Sequence, residues 1–86
     1  MANYNLLKRE LNQLLEFVSD SFTSSELNEV KEFLDAGEFG LALETLYFII
    51  IEEDKCVSPS VRDSIEKLGE LMNLESIEVN KISTTQ

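Results

Sequence analysis

The chain has 86 residues, with seven Lys and Arg against seventeen Asp and Glu, no His and a single Cys. That length allows one core and no second domain, and a net charge of −10 excludes a protein that holds nucleic acid or an anionic membrane surface by charge. Cys56 cannot form an internal disulfide, and without His neither a Ser–His nor a Cys–His catalytic pair can be built.

Leu7, Leu11, Leu14, Leu15 and Val18 recur at helical spacing and predict a first helix over Tyr4 to Val18, with Asn3 or Asn5 as its cap. Acids and Asn interrupt every apolar run near the N-terminus, so no signal peptide is read there. The longest apolar run, Leu46 to Ile51, is too short to cross a bilayer. A cytoplasmic protein with no membrane partner is expected. Thr23-Ser24-Ser25-Glu26 has the form of a capping box and opens a second helix from about Ser24 to Leu34. Leu27, Val30, Phe33 and Leu34 make its apolar side, while Glu26, Glu29 and Glu32 lie on the other.

Gly37 suits the left-handed position just past a helix end. A third helix, from about Phe39 to Glu53, buries Leu43, Leu46, Tyr47, Ile50 and Ala42. Phe48 to Ile51 make its last turns apolar all round, so it is expected at the centre, covered on more than one side. Ser58-Pro59 is a cap followed by proline at the first helical position. It starts a fourth helix, to about Met72, with Val61, Ile65, Leu68 and Met72 on one stripe. Beyond Asn73 the pattern weakens; Ile77, Val79 and Ile82 fit a short turn, a strand against a partner, or nothing fixed. The expected fold is all-α, a compact bundle of four helices with short connections. Residues 1–74 form the helical domain and residues 75–86 a weakly structured tail.

Gly37-Glu38-Phe39-Gly40 reads first as a corner. Gly37 stops one helix, Phe39 anchors in the core beside Phe33, and Gly40 lets the next helix start close to a neighbour. A phosphate-binding loop needs a fuller glycine pattern and a lysine, and Glu38 would repel a phosphate. Asp63-Ser64-Ile65 resembles the attachment triplet of acyl carrier proteins, but it falls inside the fourth helix and late in the chain. Glu66 and Glu70 read as a solvated face, and Glu53 and Asp54 oppose a thiolate at Cys56. Neither these acids nor Glu52-Glu53-Asp54 reproduce a calcium loop. No catalytic residue, metal site or cofactor is expected.

The run Asp35-Ala36-Gly37-Glu38-Phe39-Gly40-Leu41-Ala42-Leu43-Glu44-Thr45-Leu46 resembles the signature of the MafI family of immunity proteins. The likeness continues through Glu52-Glu53-Asp54, the turn at Val57-Ser58 and the helix end Leu68-Gly69-Glu70-Leu71-Met72, and covers about half the chain. It implies a small, catalytically inert immunity protein of a polymorphic-toxin or contact-dependent inhibition system. Such a protein binds the C-terminal toxin domain of its own system and blocks it. A basic toxin domain, a nuclease, is the expected partner. Its groove must hold phosphates, and opposite charge steers an acidic inhibitor to it. The alternative is an acidic helical adaptor or regulatory module for another basic protein.

The expected contacts are Glu32, Asp35 and Glu38 around the corner, Glu44 within the third helix, and Glu52, Glu53 and Asp54 at its end. Tyr47 or Phe48 is the aromatic anchor, whichever stands exposed. Three acids at a helix C-terminus oppose the macrodipole, a local conflict of the kind found at functional sites, unless Lys55 neutralises them.

Overall fold

A computed structural model describes residues 4–85. The elements in order are α1 (Tyr4–Val18), α2 (Ser24–Asp35), α3 (Phe39–Glu52), a two-residue strand β1 (Cys56–Val57), α4 (Pro59–Leu71), a 3-10 turn (Val79–Lys81) and β2 (Ser83–Thr84). The four-helix, all-α fold read from periodicity is the fold observed. In α1, Leu7, Leu11, Leu14, Leu15 and Val18 are the buried positions. Asn5 sits within the helix and does not cap it, and Asn3 lies outside the described residues.

The capping box at α2 is formed in both directions. Thr23 Oγ1 accepts from the Glu26 amide at 3.1 Å, and Glu26 Oε1 accepts from the Thr23 amide at 2.9 Å. At α4, Ser58 Oγ accepts from the Val61 amide at 3.2 Å, with Pro59 at the first helical position. Each cap satisfies an amide that the first turn leaves without an intrahelical acceptor.

Three helices end alike. After α2, the Gly37 amide bonds Leu34 O and the Glu38 amide bonds Phe33 O; after α3, Asp54 bonds Ile51 O and Lys55 bonds Ile50 O; after α4, Asn73 bonds Glu70 O and Leu74 bonds Gly69 O. This is the paired arrangement of a Schellman motif, which needs a left-handed residue at its centre. Gly37 has φ 77°, but Asp54 (φ 52°) and Asn73 (φ 56°) take the same conformation with side chains attached. The helix stop read at Gly37 therefore recurs where no glycine announces it.

α2 and α3, joined by Ala36 to Glu38, pack most extensively against each other, and α1 and α4 complete the bundle around α3. Ala42, Leu43, Leu46 and Ile65 are fully buried, and sealing a Leu or Ile side chain from water contributes roughly 1.5–3 kcal/mol. Phe39 is buried, but its ring partner is Tyr4, with centroids 4.9 Å apart. Gly40 does not mark a forced close approach either, since a Cβ there would meet only Leu74 Cδ2, at an ordinary 3.5 Å.

The tail holds little regular structure, yet it is seated on the bundle. Ile82 is buried in the core. β2 runs parallel to β1, pairing Ser83 with Cys56 and Thr84 with Val57, and the Thr85 amide reaches Val57 O at 2.8 Å. Three further bonds hold the tail: Tyr47 Oη to Glu78 O at 3.1 Å, Arg62 Nε to Val79 O at 3.1 Å, and Ser76 Oγ to Glu44 Oε2 at 2.6 Å.

Candidate protein-binding face

The first turns of α3 begin at the Gly37 corner, and its last turn ends at Glu52. Its inward side carries Phe39, Ala42, Leu43, Leu46, Tyr47 and Ile50, all buried. A helix repeats every 3.6 residues, so Leu41, Thr45, Phe48 and Glu52 fall on the opposite side. Leu41 is 44% exposed and Phe48 43% exposed, and Ile49 and Ile51 flank them half-buried. α3 is central, as expected, packed against α1, α2 and α4, and only a narrow strip through Leu41, Phe48 and Glu52 stands exposed. α3 contains no basic residue, and Glu44, Glu52 and Glu53 border the apolar stripe.

Tyr47 and Phe48 resolve in one direction. Tyr47 is 2% exposed and its hydroxyl is engaged by the tail, so it is a core residue and not a surface contact. Phe48 is the exposed aromatic, set edge-on to Tyr47 with centroids 5.3 Å apart, and that buried ring holds it upright. Glu44 is half-buried and accepts the Ser76 hydroxyl, which ties it to the tail and leaves it less free than a simple surface acid.

Glu32, Asp35, Glu38, Glu52, Glu53 and Asp54 are all exposed. They do not form one cluster. The short connection makes α2 and α3 antiparallel, so Glu32, Asp35 and Glu38 lie at one end and Glu52, Glu53 and Asp54 at the other. The fourteen residues of α3 separate the two ends, about 21 Å. Lys55 marks the second end: its Nζ is 3.1 Å from Glu26 Oε1, 2.8 Å from Ser21 O and 5.1 Å from the centre of the Phe22 ring. Lys55 is thereby turned toward the start of α2, and among the described residues no ion pair involves Glu52, Glu53 or Asp54. The acids at the end of α3 therefore stand without an ion-pair partner, at the helix pole where negative charge is least favoured. Glu26, by contrast, has its carboxyl held below the ordinary range, first by the Thr23 amide and then by Lys55.

Periodicity could have revealed one further residue. Phe17 falls off the apolar stripe of α1 and is 67% exposed, beside Cys56 and Thr85 at a cavity of about 190 Å³. Leu41 also lies outside the buried positions of α3, but that helix is apolar nearly all round and periodicity does not single it out. Cys56 itself is exposed and lies in β1. Asp63-Ser64-Ile65 lies within α4, away from a helix start. Among the described residues no three acidic or Cys side chains are grouped to hold a metal ion, and no helix is long and apolar enough to cross a membrane.

No protein-family model, curated protein or solved structure matches the chain.

Proposed function

We propose that this protein is an immunity-type inhibitor that binds a basic toxin domain, a nuclease, in the cytoplasm by stoichiometric association. The observation that carries the reading is the open face of α3, where Leu41 and Phe48 stand exposed on a rigid helix among uncompensated acids. Protein interfaces commonly place an apolar, aromatic centre within a polar rim, and complementary charge speeds encounter. Leu41 and Phe48 would supply that centre, and Glu44, Glu52 and Glu53 the rim. A net charge of −10 and the likeness of Asp35 to Leu46 to the immunity signature support the same reading.

In this account inhibition needs no chemistry from the chain. The face covers the toxin's groove or an adjacent surface, and the acids stand where phosphates otherwise would. The antiparallel hairpin makes Glu52, Glu53 and Asp54 the acids that act with Phe48, one turn away, while Glu32, Asp35 and Glu38 reach a partner only if it spans the length of α3.

Co-expression with the toxin domain encoded beside this chain tests the proposal. Growth protection and co-elution of the two chains in equal amounts are the expected result. A complex without protection would favour an acidic adaptor, and neither a complex nor protection would end the immunity reading.

A further inference from the structure

The tail crosses α4 without filling the space beside it. Between them lies a groove of about 470 Å³. Its apolar lining is Leu74, Ile77 and Val79, each half-buried, and Gly69 of α4. Glu66, Glu70 and Glu75 stand exposed around it. None of the three has an ion-pair partner among the described residues, and α4 has no basic residue in its last turn.

Gly69 is the second sign. Glycine in a helix interior costs about 1 kcal/mol relative to alanine and usually answers a close approach. Here a Cβ would meet nothing nearer than Ile77, at 3.8 Å, so packing does not demand glycine. What the missing methyl does is deepen the groove. Glu66 and Glu70, one turn apart, repel each other and also face the negative pole of α4. A cation seated between them would relieve both.

We propose that this groove is a second docking site, which receives an Arg- or Lys-bearing segment of a protein partner. The long aliphatic stem lies on Leu74, Ile77 and Val79, and the charged head reaches Glu66, Glu70 and Glu75. Such side chains are built for a groove of this kind, apolar along the stem and cationic at the tip. The site rests on the binding of a basic protein proposed above only for the identity of that partner.

The test is a titration of the full chain, with labelled amides followed by NMR, using a short synthetic peptide of alternating Arg and Leu. Saturable shifts concentrated at Gly69, Leu74 and Ile77 are expected. The triple variant Glu66→Gln, Glu70→Gln, Glu75→Gln should weaken peptide binding about tenfold, each exposed charge contributing modestly. A charge-matched control on and just after α1, Glu10→Gln, Glu16→Gln, Asp20→Asn, should leave it unchanged. Gly69→Ala should melt higher and bind less tightly, two effects that a purely structural glycine would not combine. Equal weakening by both triple variants, shifts spread along α2, or unchanged affinity in Gly69→Ala would overturn the site. The peptide reads the groove without any toxin, and co-elution with the toxin reads the α3 face without the groove, so the two proposals fail separately.

Discussion

The two faces of α3 carry similar side chains in opposite circumstances. Leu43 and Leu46 are fully buried, whereas Leu41 and Phe48 are each more than two-fifths exposed. The outer strip sets Leu41 and Phe48 beside Thr45 and Glu52, so residue type alone does not say which large apolar side chains stay open; the packing does. α3 packs against α1, α2 and α4 and is bonded to the tail at Glu44 and Tyr47, and the strip through Leu41 and Phe48 is what stays uncovered. Apolar character on the inner face is explained by the fold. On the outer face the fold gives no use for it, and that residue of unexplained apolar surface is what argues for a partner.

Substitution should separate the faces. Leu46→Ala removes a fully buried side chain and leaves a cavity, and should cost about 3 kcal/mol in urea unfolding. The same truncation outside, Phe48→Ala, should cost no more than about 0.5 kcal/mol, since alanine's helix propensity offsets part of the lost contact. Comparable losses at the two sites would mean that the outer face is structural after all.

The helix ends sharpen the contrast between what glycine announces and what the backbone does. Gly37→Ala should lower stability by about 1 kcal/mol, because its left-handed φ strains any Cβ even though the nearest atom, Tyr4 Oη, is 3.6 Å away. Asp54→Gly should do the reverse and stabilise by about 0.5 kcal/mol, since glycine takes that conformation without strain. A loss of stability in Asp54→Gly would show that the aspartate side chain holds the end of α3. A smaller effect belongs to pH. The folded state lowers the Glu26 pKa, so the stability from this group is complete above the ordinary carboxylate value and is lost as pH falls through the lowered one. Glu26→Gln should flatten the acid limb of a stability-against-pH curve, and an unchanged limb would remove the Thr23 and Lys55 contacts as its cause.

Much of the fold was legible because its signals are local. The stripe of α1, the capping box at Thr23 and Glu26, the Ser58-Pro59 start and the stop at Gly37 are each contained within a few residues. The rest depends on contacts far apart in the chain. β1 and β2 are two residues each, joined across 25 intervening positions, with no strand pattern of their own. Tyr47 was readable as buried by its spacing, yet its hydroxyl finds Glu78 O only because the tail folds back. α3 is apolar nearly all round, so periodicity could not say which face would be left open. The acids look like one surface in the sequence, and the antiparallel hairpin divides them.

The most direct measurement is the affinity of the adjacent toxin domain for the wild-type chain and for the double variant Leu41→Ala, Phe48→Ala, by calorimetry, with the melting temperature of each inhibitor recorded alongside. If the open face of α3 is the centre of the interface, the double variant loses at least about a hundredfold in affinity while melting within a few degrees of the parent. Unchanged affinity for a folded double variant would contradict the account and move the interface elsewhere on the molecule.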